Sequence, residues 1–389
     1  MKKSIILLLL FVFTLSSAFL PSQCKHSSGD RTYNVLDFGA AGDGDSDDTQ
    51  AFKDAWEATC GSRAGSPATM HVPSGSTFFL QPIVFAGPCT SDVNIVINGT
   101  LIAPGPSQWK CKKNKCKQWI TFDKLNNLHI SGSGTINGEG KKWWGCKEGF
   151  VILHSNNVYI RDLAFMDSPQ KHIGIDRSKW VYVTNLVITA SENSPNTDGI
   201  HIQRSQHVFI DHTHIATGDD CISIGDGSAY LNISSITCGP GHGISVGSLG
   251  HNGAKETVEH VYVSDVELRG TSNGVRIKTW QGGRGHARDI TFERITSYDS
   301  QRPIIIDQFY CNGHHNCKNH KSAVEVSNVR YNHIHGTSRG EIAVEFACSE
   351  TVPCRDIYMN DINLVSGVSS CQNVRGTQHE VSPSVPCLT

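Results

Sequence analysis

The stretches SPNTDGIHI (residues 194–202), TGDDCISI (217–224) and GHGISVG (241–247) decide the fold. Each leads from an ionisable residue into alternating apolar positions, and Asp198, Asp220 and His242 follow one another at steps of 22 residues. Equal steps of this kind mark stacked coils. In a parallel solenoid neighbouring turns lie about 4.8 Å apart, so the three groups are expected in one column. Strand alternation turns the isoleucines inward and His201, Ser223 and Ser245 outward. His172-Ile173-Gly174-Ile175 extends the series upstream, and Gly274-Val275-Arg276-Ile277 extends it downstream, adding Arg276 to the outward row.

Another series of strands runs in phase with this one. Apolar-x-apolar triplets begin at Leu128, Val158, Val181, Val208, Leu231, Val261, Ile290, Val329 and Ile357. Their steps range from 23 to 39 residues, so the loops vary while the strands persist. The strands are short and β-branched, with Gly, Asn, Asp and Ser between them, and helical periodicity is almost absent after residue 60. A β-sandwich leaves the phase relation unexplained. The expected fold is all-β: a right-handed parallel β-helix. Asp47 or Asp48 is placed to cap a short N-terminal helix in which Phe52, Ala55, Trp56 and Thr59 share one face and close the open end of the solenoid. After Cys371 a disulfide-pinned tail is expected to cover the other end. Asp43-Gly44-Asp45-Ser46-Asp47 lacks the glycine and glutamate of a calcium loop and is not read as one.

The first residues read as a secretory leader: Lys2 and Lys3, an apolar run from Ile5 to Phe13, then Ser16, Ser17 and Ala18. Cleavage is expected between residues 18 and 24, giving a leader of about residues 1–23 and one domain over 24–389, with no linker inside it. The apolar run is too short to span a bilayer, so no membrane partner is expected after cleavage. The chain is expected outside the cell, in the cell wall, as a monomer. Fourteen cysteines fit that compartment, and the close pairs Cys221/Cys238, Cys311/Cys317, Cys348/Cys354 and Cys371/Cys387 suit local disulfides. If the leader is cut after Cys24, thirteen remain and one is free. Cys111 and Cys116 lack the partners of a zinc site, and no metal or other cofactor is expected. Asn98-Gly99-Thr100 and Asn232-Ile233-Ser234 are glycosylation sequons.

The formal charge of −2 at pH 7 hides 19 histidines: 34 basic residues and those histidines against 36 acidic ones set an upper limit of +17 in acid. Such a surface attracts a polyanion. The run Lys110, Lys112, Lys113, Lys115 and Lys117 adds to it but reads first as a solvated loop, and nucleic acid is a poor partner for a secreted chain of this balance. Asp219 beside Asp220 brings a third carboxylate to the column. Two ionised carboxylates about 5 Å apart repel by roughly 3 kcal/mol at an effective dielectric of about 20, so one of the group is expected to keep its proton. A protonated carboxyl beside ionised ones is what acid and base catalysis of glycoside hydrolysis needs. Spacing alone does not say which carboxyl it is.

SPNTDG at 194–199, GDD at 218–220, GHG at 241–243 and RIK at 276–278, in this order, resemble the polygalacturonases, the pectin-degrading glycoside hydrolases of family 28, and their plant branch in particular. The likeness runs from about Tyr33, in YNVLDFGAAGDG, to the C-terminal cysteines. It implies inverting hydrolysis of α-1,4 links between galacturonic acid units, in polygalacturonate or demethylated pectin, without a metal. It implies Asp219 as general acid, Asp198 and Asp220 as holders and activators of the attacking water, and His242 as a hydrogen-bond partner of the acid. Arg276 and Lys278, which alternate about Ile277, are matched to the substrate carboxylate, Asn196 to a turn that contacts substrate, and Tyr310 in QFYC to a further substrate contact. Asp167 departs from the pattern, where many relatives carry Asn. Inverting enzymes separate acid and base by roughly 6.5–9.5 Å, more than one coil step; three carboxylates leave the water's place open, so the resemblance is followed over the spacing. Endo action is favoured, with exo action the alternative, since loops at the groove ends decide it. A calcium-dependent lyase and a noncatalytic wall-binding solenoid are the rivals, and the Asp cluster argues against both.

Overall fold

The computed structural model describes residues 31–389 apart from 64, 111–117, 143, 145, 146 and 313–316. Among these, two parallel sheets of 19 and 11 strands wind into a β-helix. The triplets of the larger sheet pair in the register their sequence implies: Leu128 with Val158, Val158 with Val181, Val181 with Val208, and Val208 with Leu231. Leu231, Val261, Ile290, Val329 and Ile357 continue the row without a break. On the smaller sheet Ile173, Ile200, Ile222, Ile244, Val275 and Ile304 stack in the same way. Both rows are buried, and each such side chain contributes about 1.5–3 kcal/mol relative to exposure, so the core grows by repetition and not by thickness.

The chain enters each triplet through one residue in the left-handed region. Asn127, Asn157, Trp180, His207, Tyr230, His260, Asp289 and Asn328 hold φ between 49° and 59°. Asn and Asp tolerate this conformation because their side chains bond locally; the Asn157 amide donates to Asn127 (2.6 Å) and the Asn328 amide to Asp289 (2.6 Å). In the middle of the column, ring stacking takes over this role: Trp180, His207, Tyr230 and His260 lie nearly parallel at centroid separations of 4.0, 5.0 and 4.8 Å.

The N-terminal helix spans Thr49–Cys60 and buries Phe52, Ala55, Trp56 and Thr59. Asp47, and not Asp48, serves its first turn, accepting from the Thr49 amide (3.2 Å) and hydroxyl (2.5 Å). The Asp48 carboxylate turns back to the Ala41 amide (2.6 Å). At the other end, the expected tail is in part a further coil: Val368–Gln372 and Val374–Ser382 pair as strands, and only the last residues fold back, with Val385 buried. All four expected cysteine pairs are disulfides, and Cys60–Cys89 is a fifth. Its partners lie 29 residues apart, too far for local spacing to pair them. The leader, Cys24, Cys111, Cys116, Cys146 and Lys112 to Lys117 lie outside the described residues. Among those described, no helix is long and apolar enough to cross a membrane.

Candidate active site

Two turns on consecutive coils bring the carboxylates together. Thr197 sits at their junction: its hydroxyl accepts from the Gly218 amide (3.1 Å) and meets the Ser194 hydroxyl (2.6 Å), so the turn before Asp198 is tied to the one before Asp219. Gly218 has no room for a side chain, since a Cβ there would stand 2.1 Å from the Ser194 carbonyl oxygen. The Asp198 backbone is held from the preceding coil. The Ser168 amide donates to His172 Nε2 (3.2 Å), which leaves the His172 Nδ1–H to donate to the Asp198 carbonyl (3.1 Å). Burial pushes His172 down to about 4, so this ring is neutral and structural.

Asp220 is the most enclosed of the three carboxylates, its side chain 2 % exposed. Its Oδ1 accepts from Arg276 Nη2 (2.8 Å) and the Ser245 hydroxyl (2.7 Å), and its Oδ2 from Lys278 Nζ (2.8 Å). Burial alone would raise its pKa; the Lys278 ammonium and Arg276 guanidinium outweigh burial and hold it down at about 2. Asp198 is also buried but has no cation within ion-pair distance, Lys171 acting on it only from farther off, and its Oδ2 accepts from the Ser223 hydroxyl (2.5 Å). Burial, then the charges of Asp219 and Asp220, push it up to about 6. Crowding is thus resolved unequally: two cations neutralise Asp220, and Asp198 bears the repulsion.

Asp219 is the most open of the three, with 23 % of its side chain exposed. Its Oδ1 accepts from the Asp220 amide (2.7 Å) and meets His242 Nδ1 (3.1 Å). Its Oδ2 has no hydrogen-bond partner among the described residues. His242 thus keeps its place in the column but bonds Asp219 and not Asp220, because the Asp220 side chain turns the other way, toward Arg276 and Lys278.

The residues matched to substrate are spread along the same face. Arg276 and Lys278 point outward, yet both are turned down onto Asp220, with Lys278 buried beneath the surface. Tyr310 is half-buried, with Lys278 Nζ 5.3 Å from its ring centroid and its hydroxyl donating to Asn312 (3.0 Å). Asn196 is exposed in the left-handed conformation, φ 57°, a turn residue. Asp167, the departure noted above, pairs with Lys141 (3.2 Å). The outward row includes Ser223 and Ser245, yet both are buried; they form the floor that holds the carboxylates. Sequence reasoning assigned no role at the site to Ser223, Ser245, Thr197 or His172. A signal for the serines exists, since each stands 25 residues after the aspartate it bonds.

Asp219, Asp220 and His242 bring donor atoms within 4.8 Å of one another. Both oxygens of Asp220 already face cations, so a divalent ion would meet the Lys278 and Arg276 charges, and the set does not fit a metal. On the coils that precede the carboxylates a groove of about 430 Å³ is walled by Gln118, Glu148, Gly174, His201, Gln203 and Arg204; none of the three carboxylates lines it, and His201 is the link to Asp198 through Ser223.

A solvent-open carboxyl beside a buried, cation-held carboxylate, near a groove on a parallel β-helix, suits the acid and base chemistry of a glycoside hydrolase. The model of the glycosyl hydrolases family 28 matches residues 60–383, and the chain belongs to that family. It is 46 % identical over 370 residues to a probable polygalacturonase of Arabidopsis thaliana, covering 91 % of this chain and 80 % of the relative. It is 42 % identical over 374 residues to a polygalacturonase of Persea americana, covering 92 % and 80 %. The fold is similar to that of endo-xylogalacturonan hydrolase from Aspergillus tubingensis, with a TM-score of 0.78, 22 % identity, and coverage of 88 % of this chain and 96 % of that one.

Proposed function

We propose that the chain is a polygalacturonase that hydrolyses α-1,4-galacturonosyl links in demethylated pectin with inversion. The observation that carries this reading is the division among three adjacent carboxylates. Asp220 is held ionised by two cations, Asp198 is the carboxyl that burial and repulsion raise to about 6, and Asp219 is the most open of the three; the choice of Asp219 as the acid follows the family's motif. Asp219 Oδ2 donates its proton to the leaving glycosidic oxygen. Asp198 and Asp220 hold the attacking water and accept its proton, so the charge that develops on the sugar is met by fixed carboxylates.

His242 fixes Asp219 by taking up Oδ1, which aims Oδ2 outward. Arg276 and Lys278 hold Asp220 and give the floor positive charge, and with Tyr310 and Asn196 they contact the acidic sugars on either side of the scissile bond. No cofactor takes part. The groove extends over coils carrying Gln118, Glu148, Gly174 and His201 on one side of the carboxylates, and we propose endo action, with exo action the alternative. We propose further that residues 1–23 are a cleaved leader and that the mature chain acts as a monomer in the cell wall. Incubation of the purified chain with polygalacturonate is expected to release reducing ends and a ladder of oligomers. Monomer alone would mean exo action, and no release between mildly acidic and neutral pH would sink the reading. An unsaturated product lost on chelation would mean a lyase instead.

A further inference from the structure

The two water-side carboxylates are supported by the same device with one difference. Asp220 accepts from Ser245, and Ser245 in turn accepts from Arg276 Nε (2.9 Å), a permanent donor. Asp198 accepts from Ser223, and Ser223 is paired with His201 Nδ1 (2.8 Å), a group that either donates or accepts. His201 Nε2 is shielded from bulk water and makes no hydrogen bond of normal geometry among the described residues, although the Gln203 side chain lies beside the ring. The ring lies on the wall of the groove, and its neighbour in register on the preceding coil is Gly174, which leaves the space beside it open.

Proton counting fixes two states of this chain of atoms. With Asp198 ionised, the Ser223 proton points to Asp198 Oδ2, the Ser223 oxygen accepts from His201 Nδ1–H, and Nε2 shows a bare lone pair. With Asp198 protonated on Oδ2, the carboxyl donates to Ser223, Ser223 donates to Nδ1, and the imidazole proton sits on Nε2. The ring is neutral in both, and the states differ by the one proton gained at Asp198. We propose that Ser223 and His201 form a relay through which substrate in the groove sets the protonation of Asp198: a sugar hydroxyl donating to His201 Nε2 selects the state in which Asp198 is ionised and ready to accept a proton from water. His201 is a positioning residue here, and its place in turnover rests on the reading of Asp198 as part of the water side of the hydrolysis.

The surroundings favour a neutral ring. Burial, then the Lys171 charge, push His201 down to about 3; the Gln203 side chain beside the ring and then the Asp220 charge act against this, and Lys278 acts with it. Lys171 is itself paired with Glu148 (3.5 Å), and Asp176 at the groove's far wall is paired with Arg204 (2.9 Å). Asp198 faces Asp219, Asp220 and Lys171 besides Ser223. A tautomer change can therefore follow Asp198 without the imidazole ever charging.

Nitrogen NMR of the histidine-labelled full chain tests this. In the free protein His201 should pass from the Nε2–H to the Nδ1–H form as pH rises through about 6, and Ser223→Ala should abolish the change. Trigalacturonate added to an Asp219→Asn chain should move the midpoint down by about one pH unit, a tenfold coupling of ordinary size for linked sites. In turnover, the acid limb of kcat should lie below that of kcat/KM, and His201→Asn, which keeps a donor toward Ser223 but has no Nε2, should close the gap. Thermal melts of both variants establish that they fold. One tautomer throughout from about pH 4 to about pH 8, or an unchanged gap in a folded His201→Asn chain, overturns the relay. A chain that switches tautomer but releases nothing from polygalacturonate would instead overturn the proposed activity.

Discussion

Replacing Asp198 by Asn should make the protein more stable while removing its activity, and the size of the gain follows from the site. A carboxyl held at about 6, against its ordinary 3.8, is disfavoured as an anion in the folded state. The folded chain therefore binds more protons than the unfolded chain between these values, and stability contributed by this group falls as pH rises through the window. Above pH 7 the ionised group costs about 3 kcal/mol, because each tenfold change in proton affinity is 1.36 kcal/mol. Asn fits the same space, its carbonyl oxygen accepts from Ser223 in place of Oδ2, and it carries no charge to repel Asp219 and Asp220. Urea unfolding of both chains at about pH 7.5 should show a gain approaching 3 kcal/mol, shrinking below about 1 kcal/mol near pH 4, where wild-type Asp198 is protonated. An equal effect at both pH values would refute the electrostatic account, since repacking does not titrate. A loss of stability at neutral pH would show that the anion is favoured where it lies.

Asp220→Asn should do the opposite. It leaves Lys278 and Arg276 buried beside a neutral amide, and the expected loss is about 3–5 kcal/mol at neutral pH by the same unfolding assay. The wild-type contribution of Asp220, a lowered carboxyl, is present above pH 4 and lost as pH falls toward about 2. Asp219→Asn should keep the melting profile and oligogalacturonate binding while lowering kcat by at least about a hundredfold; full activity would remove Asp219 from the acid role. Gly218→Ala should displace the turn it shares with Ser194, and a folded variant with unchanged kcat would show that the contact is not needed. Loss of the Cys221–Cys238 bond, which closes a 17-residue separation next to Asp220, should lower stability by about 3 kcal/mol in a Cys221→Ser, Cys238→Ser chain.

The sequence alone carried the repeat, and with it the fold. Strand side chains alternate with a period of two, and coils stack at constant register, so Leu128, Val158 and Val181 are neighbours in space because each begins the same triplet. The column of Asp198, Asp220 and His242 was legible for the same reason, as were four disulfides that span short separations. Cys60–Cys89 was not, because nothing local ties those two positions. Side-chain direction was also beyond reach of the pattern. That Arg276 and Lys278 turn onto Asp220, and that Ser223 and Ser245 lie under the carboxylates, depend on which charges are buried together, and a charge removed from water takes the nearest partner that neutralises it. The sequence determined that three carboxylates would meet on one face of a β-helix. Only the tertiary structure decided that two cations would be given to Asp220 and none to Asp198, and that difference in burial and pairing separates an anion held at about 2 from a carboxyl raised to about 6.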